Sequence, residues 1–168
     1  MRLVLREPSV DDYATVASWV ADASACALWA GARFPFPFAA RDLPDLIRVA
    51  KGASYVLCDE NAATLAFGQY RVPRTGAVHL CRIIVAPHAR GDGLGKVLCR
   101  MLIEEGVRAT GATAVTLRVY RNNVAARAVY RSLGFQPVEE GSNPEVLWMK
   151  AQATSTPLTE AKGRPFTA

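Results

Sequence analysis

The order of apolar and polar residues along the chain predicts strands and helices in alternation. Alternating or continuous apolar runs predict strands at 2–6, 54–58, 64–72, 78–85, 114–120, 135–139 and 145–150. Apolar residues at helical spacing predict helices at 9–20, 42–51, 95–109 and 123–133. Ser9 is placed to cap the first helix, whose apolar face begins at Val10, while Gly111 breaks the third helix and Gly134 ends the fourth. We see no internal repeat and no second domain.

Two segments of the chain fit neither pattern. Between Trp29 and Phe38 there are three phenylalanines and prolines at 35 and 37, which forbid a helix and disfavour a central strand. We expect an irregular apolar loop there. From residue 152 onward Thr, Ser, Pro and Ala dominate, which predicts a flexible tail. The expected boundaries are a domain at 1–151 and a tail at 152–168.

Length and composition narrow the class of protein. With 168 residues, of which 51% are apolar and 21% charged, the chain is long enough for one globular domain with a sizeable core. No apolar run approaches the roughly 18 residues that span a bilayer, and the start of the chain is too short and too charged for a secretory signal. We therefore expect a cytoplasmic protein without a membrane partner.

The charge distribution argues against a nucleic-acid-binding protein, and the cysteine pattern argues against a disulfide-linked or metal-binding one. The net charge is +5, but the lysines and arginines are scattered, so a basic nucleic-acid-binding module is disfavoured. The same charge suits a solvated surface that also attracts a phosphorylated cofactor. The 4 cysteines lie far apart with no C-x-x-C pair, and there are only 2 histidines. We expect reduced thiols, no disulfide and no metal.

The stretch from 77 to 95, AVHLCRIIVAPHARGDGLG, joins an apolar strand to a helix through a turn rich in Arg and Gly. Backbone N–H groups at a helix start are unpaired and bind phosphate well, and glycines let the backbone approach the anion. The glycine spacing does not match the G-x-G-x-x-G of dinucleotide-binding folds, and Lys96 is followed by Val97 where a P-loop needs Ser or Thr. A generic strand–turn–helix connection is the alternative interpretation of this loop alone.

Two motifs together resemble those of a known family. R-G-x-G-x-G at 90–95 resembles the Q/R-x-x-G-x-G/A pyrophosphate loop of the GCN5-related N-acetyltransferases (GNAT family). Their second signature, N-x-x-A-x-x-x-Y-x-x-x-G-F, is filled without a gap by Asn123, Ala126, Tyr130, Gly134 and Phe135. The resemblance covers roughly residues 2–150, and its specific motifs lie within 75–135. It implies an α/β GNAT fold, with a single mixed, mostly antiparallel sheet, splayed at the acetyl-CoA site and flanked by about four helices.

The resemblance implies acetyl-CoA as cosubstrate and assigns residues to it. Asn123 would contact the pantetheine arm or hold the local backbone. Tyr130 resembles the general acid that protonates the CoA thiolate, with a half-buried packing role as the alternative. The other cofactor-binding residues would be Ile83, Ile84 and Val85, whose backbone groups meet the pantetheine arm, and Arg90, Gly91, Asp92, Gly93, Leu94, Gly95 and Lys96, which hold the pyrophosphate.

The general base is assigned to His79. Histone-type members of the family carry a Glu four residues before the first pantetheine-binding position, and His79 occupies that place. A neutral imidazole, whose ordinary pKa is about 6.5, can accept a proton directly or through a water. Alternation along the strand predicts that His79, Cys81 and Ile83 share one face. A histidine that only packs and hydrogen-bonds is the alternative. Ribosomal-protein-type members carry a Glu where this chain has Arg118, which argues against that substrate.

The aromatic loop is the candidate binding site for the amine that accepts the acetyl group. In the family the segment between the first two helices commonly lines the acceptor pocket, so Trp29, Phe34 and Phe36 are candidate substrate-binding residues, unless the loop merely caps the core. The implied function is direct acetyl transfer from acetyl-CoA to a primary amine of a small molecule or protein. A non-catalytic acyl-CoA-binding sensor on the same fold is the alternative. The identity of the amine and of the acyl group, and a homodimer, are left open.

Overall fold

The computed structural model describes residues 2–153, which form a seven-stranded sheet with helices on both faces. The strands are β1 (Val4–Arg6), β2 (Gly52–Cys58), β3 (Thr64–Arg74), β4 (Ala77–Val85), β5 (Ala114–Tyr120), β6 (Gln136–Val138) and β7 (Val146–Gln152). The helices are α1 (Val10–Ser18), α2 (Ala23–Ala30), α3 (Leu43–Leu46), α4 (Leu94–Thr110) and α5 (Val124–Ser132), with 3₁₀ turns at Ala40–Asp42 and Pro87–Ala89. Of the predicted tail, 154–168 lies outside the described residues, and Gln152 is the last residue of β7.

The sheet has the strand order β1-β2-β3-β4-β5-β7-β6, and β4 and β5 are its one parallel pair within residues 2–153. Their ladder is short: it starts with Ala77 opposite Ala114 and ends with Leu80 opposite Leu117. Beyond that point β4 and β5 continue without pairing to each other, so a V-shaped gap opens between them. The predicted mixed, mostly antiparallel and splayed sheet is confirmed.

Helix α4 supplies the crossover that two parallel strands require. It begins after Gly93 and ends before Gly111, both with left-handed φ values of 76° and 68°. Leu98 and Leu102 are fully buried on its sheet-facing side. A Cβ built on Gly106 would lie 3.0 Å from Cγ1 of Val78, so α4 packs closely on β4. This packing fixes the N-terminus of α4 beside the gap.

Strand β4 carries one extra residue opposite β3. Cys81 pairs with Gln69 and Ile84 with Phe67, so Arg82 and Ile83 together face Gly68. Arg82 takes a left-handed φ of 51° at this bulge. The bulge shifts the alternation of side chains, and Ile83 joins the α4 face: a Cβ on Gly68 would lie 2.6 Å from Cδ1 of Ile83.

His79 faces away from α4, because its neighbour Val78 meets Gly106 of that helix. Cys81 lies two residues along the strand, before the bulge, and shares this face with His79. The prediction that His79, Cys81 and Ile83 share one face is therefore wrong for Ile83. Regular alternation fails at Arg82, where the bulge inserts a residue.

Helix α1 is anchored through the buried carboxylate of Asp12. The Ser9 hydroxyl accepts a hydrogen bond from the Asp12 N–H at 3.3 Å, and Asp12 Oδ2 accepts from the Ser9 N–H at 2.7 Å, which forms a capping box. Arg6 of β1 donates to Asp12 at 2.6 and 3.1 Å, and the Thr64 hydroxyl of β3 donates to it as well. Burial opposes the charge, but these hydrogen bonds outweigh it and hold the pKa of Asp12 well below its usual range.

The structure differs from three expectations for the first third of the chain. Helix α2 was not predicted, because its residues are apolar on all sides and show no helical period, although Asp22 caps it by accepting a hydrogen bond from the Ala25 N–H at 2.8 Å. The helix expected at 42–51 is only the four residues of α3, and the chain then turns into β2. Val10, expected on the apolar face of α1, is 82% exposed. No helix within 2–153 is long and apolar enough to cross a bilayer.

Candidate functional site

The gap between β4 and β5 opens into a cavity of about 1400 Å³. Residues of β3, β4, β5, α2, α4 and α5 form its walls. The cavity brings together most of the predicted site residues: Trp29, His79, Ile83, Ile84, Val85, Arg90, Gly91, Gly93, Leu94, Gly95, Lys96, Asn123 and Tyr130. Asp92, Phe34 and Phe36 do not line it.

The glycine loop presents an uncapped helix N-terminus to this cavity. Gly91 and Gly93 have left-handed φ values of 92° and 76°, and a Cβ at either would meet nothing within 4 Å. Gly93 is the N-cap of α4, with no side-chain cap and no acidic residue in the first turn. Within residues 2–153 the N–H groups of Leu94 and Gly95 have no backbone partner, and Lys96, the next residue, also lines the cavity. This arrangement suits a phosphate.

The end of β4 continues the same binding surface. Its edge toward β5 is unpaired from Cys81 to Val85, so backbone groups there can bond a ligand in the manner of an added strand. Arg90 Nε donates to the Val85 carbonyl at 3.2 Å and ties the loop to the strand. A Cβ on Gly95 would lie 3.6 Å from Cγ2 of Val85, so α4 begins in contact with β4. The open strand edge and the phosphate-binding loop are thus continuous.

Asn123 and Tyr130 lie at the two ends of α5. Asn123 is the N-cap of the helix, and its Oδ1 accepts a hydrogen bond from the Ala126 N–H at 3.2 Å. This contact holds the local backbone, the second of its two predicted roles. Ala126, Val129 and Tyr130 share one face of α5 and line the cavity.

The Tyr130 side chain is packed, but its hydroxyl is not hydrogen-bonded. The residue is 8% exposed, and its ring meets Phe135 edge-on with centroids 6.0 Å apart. Its hydroxyl has no hydrogen-bond partner among residues 2–153, and the residue lines the cavity. Burial raises the pKa of Tyr130, and the nearby thiols of Cys99 and Cys81 raise it further. Tyr130 therefore holds its proton at neutral pH and can donate it toward a ligand.

His79 is buried where the parallel ladder ends. It is 3% exposed, its Nδ1 lies 2.9 Å from the Thr116 hydroxyl, and its ring stacks on Trp148 at 5.2 Å. Burial lowers the pKa of His79 to about 4, and the positive charges of Arg71 and Arg118 contribute to the shift. His79 is therefore neutral at physiological pH, as a base must be, but it is weaker than an ordinary imidazole.

Of the predicted aromatic substrate-binding residues, Trp29 lines the cavity, whereas Phe34 and Phe36 do not. The Trp29 ring lies 6.1 Å from that of Phe34 and 6.3 Å from that of Phe67. Phe34 in turn meets Phe38 edge-on at 5.6 Å. Phe36 is exposed. Trp29 itself belongs to α2, so the irregular segment starts only after that helix.

The sequence did not predict that the cavity wall is strongly cationic. No carboxylate among the described residues lines the cavity, whereas seven cationic side chains do: Arg48, Lys51, Arg71, Arg82, Arg90, Lys96 and Arg118. They come from separate elements, so no run of charge marks them in the sequence. Only the folded structure shows that they line one cavity.

Comparison with known proteins gives one family match over most of the chain. The model of the Acetyltransferase (GNAT) family matches residues 22–135. Mycothiol acetyltransferase of Beutenbergia cavernae is 36% identical over 80 residues, which cover 48% of this chain and 27% of that protein. A probable spermine N(1)-acetyltransferase of Bacillus subtilis subsp. natto is 32% identical over 63 residues, or 38% of this chain and 41% of that protein. The matched stretch thus spans less than half the length of these curated relatives.

Solved structures share the fold. Spermidine N-acetyltransferase from Vibrio cholerae, in complex with CoA and spermine, superposes with a TM-score of 0.74 over 90% of this chain and 96% of that chain, at 17% identity. An aminoglycoside acetyltransferase in complex with coenzyme A gives a TM-score of 0.68 over 89% of this chain and 94% of that chain, at 21% identity. At such identities the likeness shows the fold alone.

Proposed function

Because the chain belongs to the GNAT acetyltransferase family, we propose that it transfers an acetyl group from acetyl-CoA directly to a primary amine of a small molecule or peptide. One observation carries the proposal. A single cavity joins an uncapped glycine-rich helix start, an unpaired strand edge and a protonated tyrosine hydroxyl. These three features match the pyrophosphate, the pantetheine arm and the leaving sulfur of acetyl-CoA in that order.

The residues present fit acetyl-CoA, which would supply an activated thioester. In the proposal the N–H groups of Leu94 and Gly95, with Lys96, hold the pyrophosphate. The loop from Arg90 to Gly93 leaves room for the pyrophosphate to reach the start of α4, and Arg90 also fixes the loop to Val85. The free edge of β4 at Ile83, Ile84 and Val85 orients the pantetheine arm through backbone hydrogen bonds.

Tyr130 is the proposed general acid. A thiol has an ordinary pKa of about 8.5, so a tyrosine with a raised pKa gives up its proton completely only with difficulty. Its first contribution is therefore a hydrogen bond to the sulfur as negative charge develops there. Because the hydroxyl has no competing partner among residues 2–153, it is free to make that bond.

His79 is the proposed acceptor of the amine proton. With a pKa of about 4 it cannot deprotonate a free ammonium group efficiently. It can act once the C–N bond is forming, because the nitrogen proton becomes more acidic at that stage. The amine would therefore arrive as the neutral base, or lose its first proton to a water held by backbone carbonyls.

The alternative is an acyl-CoA-binding sensor on the same fold. Its support is the absence of any lining carboxylate within residues 2–153, together with the low pKa of His79, which leaves the cavity without a strong base. The sensor would bind acetyl-CoA without turnover. A cytoplasmic location stays a prediction in either case, and a homodimer stays open.

The test is release of free CoA from acetyl-CoA across a panel of primary amines, followed with a thiol reagent and confirmed by mass spectrometry of the acetylated amine. Thermal melting with and without acetyl-CoA accompanies it, since a ligand selective for the native state raises the melting temperature. Amine-dependent CoA release supports the enzyme, and stabilisation without release supports the sensor. Neither stabilisation nor release would refute both.

A further inference from the structure

Three arginines converge on the face of the sheet opposite α4, around the point where β4 and β5 part. Arg71 of β3 pairs with His79, and His79 pairs with Thr116 of β5. Arg118 lies two residues beyond Thr116 on the same face. Arg82 projects from the bulge next to Cys81. All three arginines line the cavity.

These arginines have no carboxylate partner among residues 2–153. The ion pairs there involve Arg6, Arg41, Arg48 and Arg108 instead. The Arg118 guanidinium lies over the Trp148 ring at 5.0 Å. Arg82 donates from Nη1 to Gln69 Oε1 at 2.9 Å, while its Nε is buried with no hydrogen-bond partner in the described part of the chain. Guanidinium donors are thus held at the cavity with bonding capacity unused.

The phosphates of CoA do not account for this cluster. Arg90 and Lys96 lie beside the glycine loop that follows β4. Because the bulge adds a residue to β4, the separation is measured along β3, where Arg71 pairs with His79 and Ala66 pairs with Val85. A strand rises about 3.3 Å per residue, so these five residues place Arg71 about 17 Å from the end of the strand that leads into the loop. Arg71 and Arg118 lie instead at the other end of the gap, on the face that carries α2 and Trp29, where the acceptor would enter, and Arg82 lies between them and the loop.

Nearby acidic residues do not neutralise the cluster. The loop before β7 carries Glu139, Glu140 and Glu145, yet its contributions to the cavity wall are Gly141 and Asn143. A polycationic acceptor would therefore meet only like charge on this wall. An oxyanion would meet forked guanidinium donors whose geometry matches a carboxylate or a phosphate.

We infer that the acceptor, given the proposed acetyl transfer, is an amine that carries its own oxyanion, a carboxylate or a phosphate, held by Arg71 and Arg118 with help from Arg82. The anion sits on the arginine cluster, and the amine of the same molecule lies toward the gap, near His79 and Tyr130. The cluster thus selects against the polyamines and aminoglycosides named for the structural neighbours.

The experiment compares amine acceptors with and without an anionic group. The probes are the free L-amino acids against their carboxamides, and O-phosphoethanolamine against ethanolamine, with spermidine and kanamycin as polycations. We expect the best anionic probe to exceed its neutral counterpart by about 10- to 100-fold in kcat/KM, mostly through KM. The amino-acid and phosphoethanolamine arms distinguish a carboxylate from a phosphate.

Variants of the arginines then test whether this cluster causes the preference for anionic amines. Arg71→Gln and Arg118→Gln should each reduce the ratio of anionic to neutral kcat/KM about 10-fold, while acetyl-CoA still stabilises both proteins. Arg74→Gln removes one positive charge from the same strand as Arg71 but outside the cavity, and should leave the ratio unchanged. A preference for neutral or polycationic amines, or a ratio that both cluster variants retain, would overturn the inference.

Binding separates this inference from the proposed function. If no amine is acetylated, the same probes are measured by calorimetry in the presence of CoA. Selective binding of the anionic members, lost in Arg71→Gln and Arg118→Gln, would uphold the anion site while refuting catalysis. Turnover of amines without anion preference would uphold catalysis and refute the anion site, and so would equal binding of anionic and neutral probes.

Discussion

Replacing Tyr130 with Phe separates proton donation from packing. The ring would keep its edge-on contact with Phe135, and the substitution removes only a hydroxyl that has no hydrogen-bond partner within residues 2–153. The folded state therefore loses no internal hydrogen bond. We expect the free energy of unfolding to change by no more than about 0.5 kcal/mol.

The catalytic cost follows from the bond that the hydroxyl would make. A hydrogen bond to a charged group contributes about 1.5 to 3 kcal/mol, and each ~1.4 kcal/mol is tenfold in rate. Tyr130→Phe should thus lower kcat by about 10- to 150-fold, and by up to about 10,000-fold if the proton is fully transferred in the transition state. Affinity for acetyl-CoA should be nearly unchanged.

Tyr55 is a matched control with the opposite expectation. Its hydroxyl donates to Glu105 Oε1 at 3.1 Å, outside the cavity, and burial with the adjacent Glu105 raises the pKa of Tyr55 to about 12. It is therefore a protonated, half-buried tyrosine whose hydroxyl bonds the protein. Tyr55→Phe should cost about 1 kcal/mol of stability, or about 2 to 4 °C in Tm, without loss of kcat.

Single-turnover mixing with a saturating amine measures the chemical step, and thermal melting gives stability for the same samples. The reasoning is refuted if Tyr130→Phe keeps kcat within about twofold of the parent under these conditions, since no outcome of general-acid catalysis allows it. It is also refuted if the two variants lose activity and stability in parallel, because both effects would then come from packing.

Three further predictions concern the loop, the histidine and the buried carboxylate. Gly93→Val should abolish most of the acetyl-CoA-induced rise in Tm, whereas Gly76→Val, which has similar backbone strain at an equally open turn, should lower Tm but keep that rise. Because the pKa of His79 is about 4, kcat/KM should show no His79-dependent limb between pH 5.5 and 8, and a limb near 6–7 that disappears in His79→Gln would contradict the buried neutral histidine. Asp12 has a depressed pKa in the folded state, so its stabilisation is present above its unfolded pKa of about 3.9 and is lost as the pH falls below it. Asp12→Asn should therefore cost about 3 kcal/mol at pH 7 and flatten the acid limb of stability, while the exposed neighbour variant Asp11→Asn should keep it, and parental acid sensitivity in Asp12→Asn would refute the assignment.

Local sequence signals predicted where several helices begin and end. Ser9 caps its helix, and Gly111 and Gly134 take left-handed φ values of 68° and 89°. These positions follow from short-range chemistry, which a sequence records directly. The splay of the sheet was expected through the family resemblance alone, because no residue pattern states where two strands stop pairing.

Features that depend on distant pairing were not predicted. The left-handed residue in β4 is Arg82, not a glycine, so nothing in the sequence marks the bulge that turns Ile83 toward α4. The pKa of His79 follows from burial and two arginines on neighbouring strands, which its own segment does not reveal. Arg118 was noticed only as a departure from a family pattern, and its role with Arg71 depends on the register of β3, β4 and β5.

The position of β7 inside the sheet bears on how the molecule matures. During synthesis the N-terminal part of a chain leaves the ribosome first. Strands β1 to β4 are complete by Val85 and pair with one another in chain order. The opposite wall of the cavity rests on β5, whose outer neighbour β7 ends only at Gln152. The cleft therefore stays incomplete, without Trp148 beneath Arg118, until nearly all of the sheet has been synthesised.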